Sequence, residues 1–153
     1  VLEILGDHPL TGLGMDRFRA PQVRAAYPVP GFDVPFDENG PFTRRTLPHA
    51  HNEFMQAGAD FGLPGLAMFA GWYAAALWMV WVCWRNGALA LRIAAVSTGA
   101  GLLAHLAYGF GDAITLWDRY QFMFWWIIGL GAAQYVLVKQ RDEANETDQS
   151  MTV

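Results

Sequence analysis

Long apolar runs dominate the second half of the chain, whereas its first 62 residues are of mixed character. The run from Leu63 to Trp84 holds 22 residues without a charge. As an α-helix it is about 33 Å long, enough to cross a hydrocarbon layer of about 30 Å. Two further apolar runs cover residues 93–110 and 122–138. The pattern therefore predicts three transmembrane helices.

Each apolar run taken singly also fits a buried helix of a soluble protein. Three successive runs with charged ends favour membrane spans, and the composition agrees. Charged residues make up 16% of the chain, below the roughly 25% typical of soluble domains. We therefore expect an all-α integral membrane fold, in which three C-terminal transmembrane helices follow a large loop with short helices.

The segments outside these runs carry different patterns. Residues 1–62 are rich in Pro and Gly, which predicts a loop with short helices, one of them near residues 16–26 with Asp16 as its N-cap. Residues 139–153 are polar and acidic without periodicity, which predicts a disordered cytoplasmic tail. The chain begins at Val1 without Met, and we expect a C-terminal fragment whose N-terminal spans lie upstream.

Basic residues next to the predicted spans indicate their orientation. The turn between the first two spans carries two arginines and no acid, and the third span ends at Lys139 and Arg141. Because cytoplasmic loops carry the excess of Lys and Arg, this turn and the tail are expected inside. Residues 1–62 and 111–121 then face outward, which for a bacterial inner membrane is the periplasm.

The predicted outer loop holds five arginines among aromatic residues: Arg17, Arg19, Arg24, Arg44 and Arg45. A guanidinium keeps its charge and offers paired donors that match phosphate oxygens. Beside a membrane, such a cluster is typical of a site for a lipid-linked phosphate or pyrophosphate. The alternative is that these arginines contact lipid headgroups or solvent.

Two histidines, His49 and His51, lie just before the first apolar run. A spacing of two residues places side chains on opposite faces of a strand, or about 200° apart on a helix, so no shared metal is predicted. Asn52 is a suitable N-cap for a helix over residues 53–61 that Gly62 ends. At the mouth of that helix, His51 is a candidate general base for a sugar hydroxyl. The alternative is a histidine that only hydrogen-bonds within the loop.

A second group of ionisable residues, His105, Asp112 and Arg119, lies near the outer ends of the second and third runs. Ionisable groups at membrane depth are costly and usually face a partner or water. These residues are therefore candidates to line the same cavity as His51. The alternative is an interfacial cluster that water and lipid headgroups satisfy.

The spacing around the histidines resembles a known signature. His51-Asn52, nine further residues and then Gly62-Leu63-Pro64-Gly65 are similar to the motif of the O-antigen ligase family. These membrane glycosyltransferases include O-antigen ligases, O-antigen polymerases and bacterial protein O-oligosaccharyltransferases. The stretch "DHPLTGLGMDRF" (7–18) resembles the start of the family's large loop, and residues 105–131 resemble its final pair of spans.

The resemblance implies transfer of a glycan from undecaprenyl pyrophosphate to a hydroxyl of an acceptor lipid, glycan or protein, without metal or cofactor. It implies that His51 is the catalytic base and that Gly62 and Gly65 form its structural frame. Asn52 belongs to the same frame and to the candidate substrate-binding residues. The arginines of the loop and Arg119 are the candidates for pyrophosphate contact.

Other functions stay open. Within the resemblance, an O-antigen polymerase or a protein O-oligosaccharyltransferase is an alternative, because they share the histidine motif and differ in their acceptor. Outside it, the alternatives are an anion transporter that uses the arginines for selectivity and a non-catalytic truncated remnant. Asp60 departs mildly from the family, in which many members carry Glu. Membrane lipids are expected partners, and nucleic acid is not.

Overall fold

A computed structural model describes residues 1–28, 49–113 and 121–151 of the chain. Over these ranges the regular secondary structure is helical, without a strand. The chain divides into two compact units. The first unit contains Val1–Ala70 and Tyr108–Arg119. The second unit contains Gly71–Ala107 and the last helix.

Five helices make up the described structure. Two short ones come first, α1 (Leu2–Asp7) and α2 (Pro21–Ala26). Three long ones follow, α3 (Glu53–Asn86), α4 (Leu89–Gly109) and α5 (Gln121–Met151), and each is long and apolar enough to cross a membrane. In the most apolar stretch of each long helix, at most 28% of residues are buried, so most apolar side chains face outward, as in a lipid environment. The predicted all-α membrane fold is confirmed.

The last helix extends beyond its predicted end. The sequence predicted that the span stops at Val138 and that a disordered tail follows, whereas α5 continues to Met151. The reason is local: the tail contains no Pro or Gly and is rich in Lys, Arg, Gln and Glu, which are good helix formers. The hydroxyl of Thr147 also donates to the Glu143 carbonyl within the helix, at 2.9 Å.

The short helix α2 begins later than the sequence predicted. Its N-cap is Ala20, and Pro21 occupies the first helical position, where a missing N–H has no cost. Asp16 is therefore not the cap. It lies in a turn with φ 60°, and its carboxylate pairs with Arg19.

A small core holds the first unit together. Ile4, Phe18 and Ala59 are buried in one cluster, against which Leu13, Tyr27 and other partly buried residues pack. The hydroxyl of Tyr27 donates to the Asp7 carboxylate at 2.8 Å. This hydrogen bond raises the pKa of Tyr27 above its ordinary value. The segments before α3 are thus packed against the first turns of that helix.

A break at Gly62 divides α3 and determines how the preceding loop attaches to it. Gly62 has φ 69° and ψ −164°, outside the helical region, so the predicted helix over residues 53–61 and its end at Gly62 are confirmed. A break leaves carbonyls and N–H groups without helical partners. The loop over residues 9–14 supplies them: Leu13 N–H donates to the Ala59 carbonyl, Gly14 N–H to the Asp60 carbonyl, and the Pro9 carbonyl accepts Leu63 N–H, at 2.7–2.9 Å.

Close approaches explain both glycines of the Gly-Leu-Pro-Gly motif. A Cβ atom on Gly62 would lie 2.6 Å from the Pro9 carbonyl oxygen, and one on Gly65 would lie 2.2 Å from Cβ of Phe61. Neither distance leaves room for a side chain. The motif glycines therefore permit the break and the docking of the loop onto it.

Polar side chains join the helices of the second unit. The Tyr73 hydroxyl and Nδ1 of His105 are 2.9 Å apart, and the Gln134 amide donates to the Thr98 hydroxyl at 2.8 Å. Hydrogen bonds of this kind stabilise helix association in lipid by about 0.6 kcal/mol each on average. His105 is thereby engaged within the second unit.

Replacing Gly62 by Ala is expected to destabilise the protein. The backbone conformation at Gly62 is nearly restricted to glycine and costs other residues about 1–3 kcal/mol, and the clash with Pro9 adds to that cost. We expect a lower unfolding temperature for the detergent-solubilised variant. Gly71→Ala in the same helix is the matched control, because a Cβ atom there meets nothing within 4 Å. Equal unfolding temperatures of the two variants would contradict the strain argument.

Candidate functional site

The two histidines before α3 lie side by side. His51 adopts φ 48°, a left-handed conformation that is uncommon outside glycine and costs of order 1–3 kcal/mol. The ring centroids of His49 and His51 are 4.3 Å apart. The predicted separation of the two rings is therefore wrong, because the left-handed residue His51 departs from regular strand and helix geometry.

Asp112 completes a cluster with both histidines. Its Oδ1 lies 3.4 Å from Nδ1 of His49 and 3.4 Å from Nδ1 of His51. The same oxygen accepts the backbone N–H of Ala113 at 2.8 Å. The side chains are 25% exposed for His49, 45% for His51 and 31% for Asp112, so solvent reaches all three. The predicted association of Asp112 with His51 is thus present in the structure.

Asn52 connects the start of α3 to the turn that carries Asp112. Its Oδ1 accepts the Met55 N–H at 2.9 Å, which is the predicted helix cap. Its Nδ2 donates to the Phe110 carbonyl at 3.3 Å. One side chain therefore fixes where the helix begins and how the turn after α4 lies beside it. The substrate-binding role of Asn52 stays a prediction.

Gln56 is a site residue that the sequence argument missed. It is 1% exposed, and its Oε1 accepts the backbone N–H of Ala50, the residue between the two histidines, at 2.8 Å. Its Nε2 donates to Oδ2 of Asp60 at 2.8 Å. Asn52, Gln56 and Asp60 are spaced by four residues and share one helix face. That polar spacing was the available signal.

The end of α4 packs closely against the start of α3. A Cβ atom on Gly109 would lie 2.5 Å from Oε2 of the buried Glu53. The rings of Phe54 and Phe110 stack with centroids 5.5 Å apart. Glycine at position 109 therefore permits the approach that brings the following turn, and with it Asp112, towards the histidines.

The predicted phosphate-binding arginines differ in their surroundings. Arg17 and Arg19 are exposed, and Arg19 pairs with Asp16. Arg24 is 6% exposed, and its guanidinium carbon lies 5.4 Å from the centroid of the Phe18 ring. The other three candidates lie outside the described residues: Arg44, Arg45 and Arg119.

Comparison with known proteins identifies the segment that holds the two histidines. No curated protein and no solved structure matches the chain. The model of a family described as O-antigen ligase matches residues 1–70, a range that includes the loop over residues 9–14, both histidines and the break at Gly62. This match confirms the resemblance predicted for residues 7–18 and for the histidine motif, and the resemblance of residues 105–131 stays a prediction. The chain is thus a multi-pass membrane protein whose residues 1–70 are similar to the O-antigen ligase family.

Proposed function

We propose that the protein is a membrane glycosyltransferase of the O-antigen ligase type. It moves a glycan from undecaprenyl pyrophosphate to an acceptor hydroxyl at the periplasmic face of the bacterial inner membrane. The observation that carries the proposal is the position of His51: it lies within the family segment, at the start of α3, with Nδ1 3.4 Å from Asp112.

His51 acts as the general base in this proposal. Asp112 lies on the Nδ1 side of the ring, so a proton on Nδ1 faces the carboxylate and the lone pair on Nε2 is free for the acceptor. Nε2 takes the proton of the acceptor hydroxyl as that oxygen attacks the anomeric carbon of the donor sugar. The bond from this carbon to the pyrophosphate oxygen breaks, and undecaprenyl pyrophosphate leaves.

Exposure and backbone conformation favour His51 over His49 as the base. The side chain of His51 is 45% exposed, compared with 25% for His49. His51 also carries the left-handed conformation, and such strain is concentrated at functional sites. His49 is then a neighbour in the loop, without a part in the transfer step.

Arginines stabilise the departing pyrophosphate in the proposed reaction. Negative charge builds up on its oxygens as the sugar leaves, and fixed guanidinium donors bind that charge. Arg17 and Arg19 are exposed in the first unit, which supports their access to a lipid-linked donor. Arg24, Arg44, Arg45 and Arg119 remain candidates for the same role.

The orientation follows from the charges next to the spans. Arg85 and Arg92 flank the turn between α3 and α4, and Lys139 and Arg141 lie beyond the apolar part of α5. The positive-inside rule assigns both places to the cytoplasm. The start of α3 is then on the periplasmic side, where a lipid-linked donor and a water-side acceptor meet. The same chemistry would serve an O-antigen polymerase, whose acceptor is a growing glycan, or a protein O-oligosaccharyltransferase, whose acceptor is a protein hydroxyl. These enzymes differ in the acceptor that they bind.

Replacing His51 by Ala in the full-length protein is expected to lower glycan transfer by about 10²–10⁴-fold, the usual contribution of a general base. The measurement is surface polysaccharide or glycoprotein in cells, together with the amount of protein in the membrane. His8→Ala is the matched control, because His8 is exposed at the end of α1. Normal glycan at normal protein levels in the His51 variant would refute the catalytic role.

Replacing Asp112 by Asn is expected to reduce kcat by about 10–100-fold or more, with a smaller change in KM. The amide keeps the size of the side chain but no longer stabilises the imidazolium or selects the proton on Nδ1; loss of the equivalent carboxylate in a serine protease costs about 10⁴-fold. Steady-state kinetics with a lipid-linked donor checks this expectation. A change confined to KM would show that Asp112 binds substrate and does not position His51.

Replacing Asn52 by Asp separates its two contacts. Aspartate is an equally good N-cap, so the bond from Met55 N–H remains and the unfolding temperature is expected to stay near that of the wild type. The donor to the Phe110 carbonyl is lost, which loosens the turn that carries Asp112, and transfer activity falls. Asn52→Ala, which loses both contacts, is expected to lower stability as well, by about 1 kcal/mol. Full activity of the aspartate variant would show that the Phe110 contact does not position the site.

A further inference from the structure

We propose that His49, His51 and Asp112 form a binding site for a divalent transition metal, of which Zn²⁺ is the representative ion. Each residue offers one ligand atom, a ring nitrogen of each histidine and a carboxylate oxygen of Asp112, and these atoms all lie within 4.8 Å of one another. Imidazole and carboxylate ligands without a thiolate are typical of Zn²⁺, Cu²⁺ and Ni²⁺ sites. Mg²⁺ and Ca²⁺ prefer oxygen ligands.

Two of the three distances between ligand atoms fit four-coordinate zinc. Bonds of about 2.0–2.2 Å to nitrogen and oxygen in a tetrahedron place neighbouring ligand atoms about 3.3–3.5 Å apart. Both nitrogen-to-oxygen distances in the cluster are 3.4 Å. Three protein ligands leave the fourth position for water, and the partial exposure of all three side chains gives an ion access from solvent.

Hydrogen bonds hold the backbone near the three ligands in place. The Gln56 amide fixes the peptide N–H of Ala50 between the two histidines. The Asn52 amide holds the Phe110 carbonyl in the turn that leads to Asp112. The backbone between the histidines and the turn before Asp112 are therefore held in place by the fold.

Metal binding would oppose the transfer reaction. This consequence, unlike the binding itself, rests on the proposed function. A metal on Nδ1 of His51 leaves the ring proton on Nε2, so Nε2 has no lone pair for the acceptor hydroxyl, and the metal also occupies the carboxylate that would stabilise the imidazolium. The metal-bound form is then inactive, and Zn²⁺ inhibits by occupying the site of the base.

Direct binding measurements test the site. The full chain, purified without a histidine tag and freed of metal by chelation, is titrated with Zn²⁺ against a chromogenic chelator. We expect one Zn²⁺ per wild-type chain and an affinity at least tenfold lower for His49→Ala. His8→Ala is the control with the same number of histidines, and it is expected to bind like the wild type. His49→Gln, which keeps a polar side chain, serves as a second variant if the alanine variant does not fold.

The outcomes separate the metal site from the proposed function. No Zn²⁺ uptake by the wild type, or equal affinity of the wild type and the His49 variants, would overturn the site. Equal loss of affinity in His8→Ala would overturn it too. Zn²⁺ binding that depends on His49 supports the site even if His51→Ala keeps transfer activity, in which case only the catalytic proposal fails. Inhibition of the wild type by Zn²⁺, weakened in the His49 variants, supports both.

Discussion

The structure of the first unit depends on one interruption in a helix. At Gly62 the backbone leaves the helical region, and the groups that lose their helical partners bond to the loop over residues 9–14. Buried backbone groups without a partner are costly, so the loop and the break require each other. The start of the large loop and the Gly-Leu-Pro-Gly motif are far apart along the chain. In the structure they form one hydrogen-bonded unit.

The cluster of His49, His51 and Asp112 follows from contacts made by the first half of α3. Gln56 lies in that half and Asn52 caps its start, and in each residue both the oxygen and the nitrogen of the amide form a hydrogen bond. The histidine turn and the turn after α4 are thus fastened to the same two helical turns. Two histidines and a carboxylate are brought together by side chains that lie outside the cluster.

Features that depend on neighbouring residues could be predicted from the sequence. The Asn52 cap, the helix end at Gly62 and the three apolar helices depend on neighbouring residues, and the structure confirms them. The approach of the two histidine rings depends on a left-handed residue, which periodicity does not reveal. The contact of Gln56 with Ala50 is of the same kind, because it is made across a turn of irregular shape. The tail was predicted to be disordered because it lacks apolar periodicity, but the helix propensity of its residues is high enough for the helix to continue.

The two hydrogen bonds of Gln56 restrict what position 56 can carry. The side chain must accept a hydrogen bond from a peptide N–H and donate one to a carboxylate, and its length must suit both bonds. Glutamate would set a second negative charge against Asp60 in a buried place, and asparagine would be shorter by one methylene. The amide thus acts as a spacer of set length between the helix and the histidine turn. Because Gln56 is buried, the backbone between the two histidines is held from inside the protein.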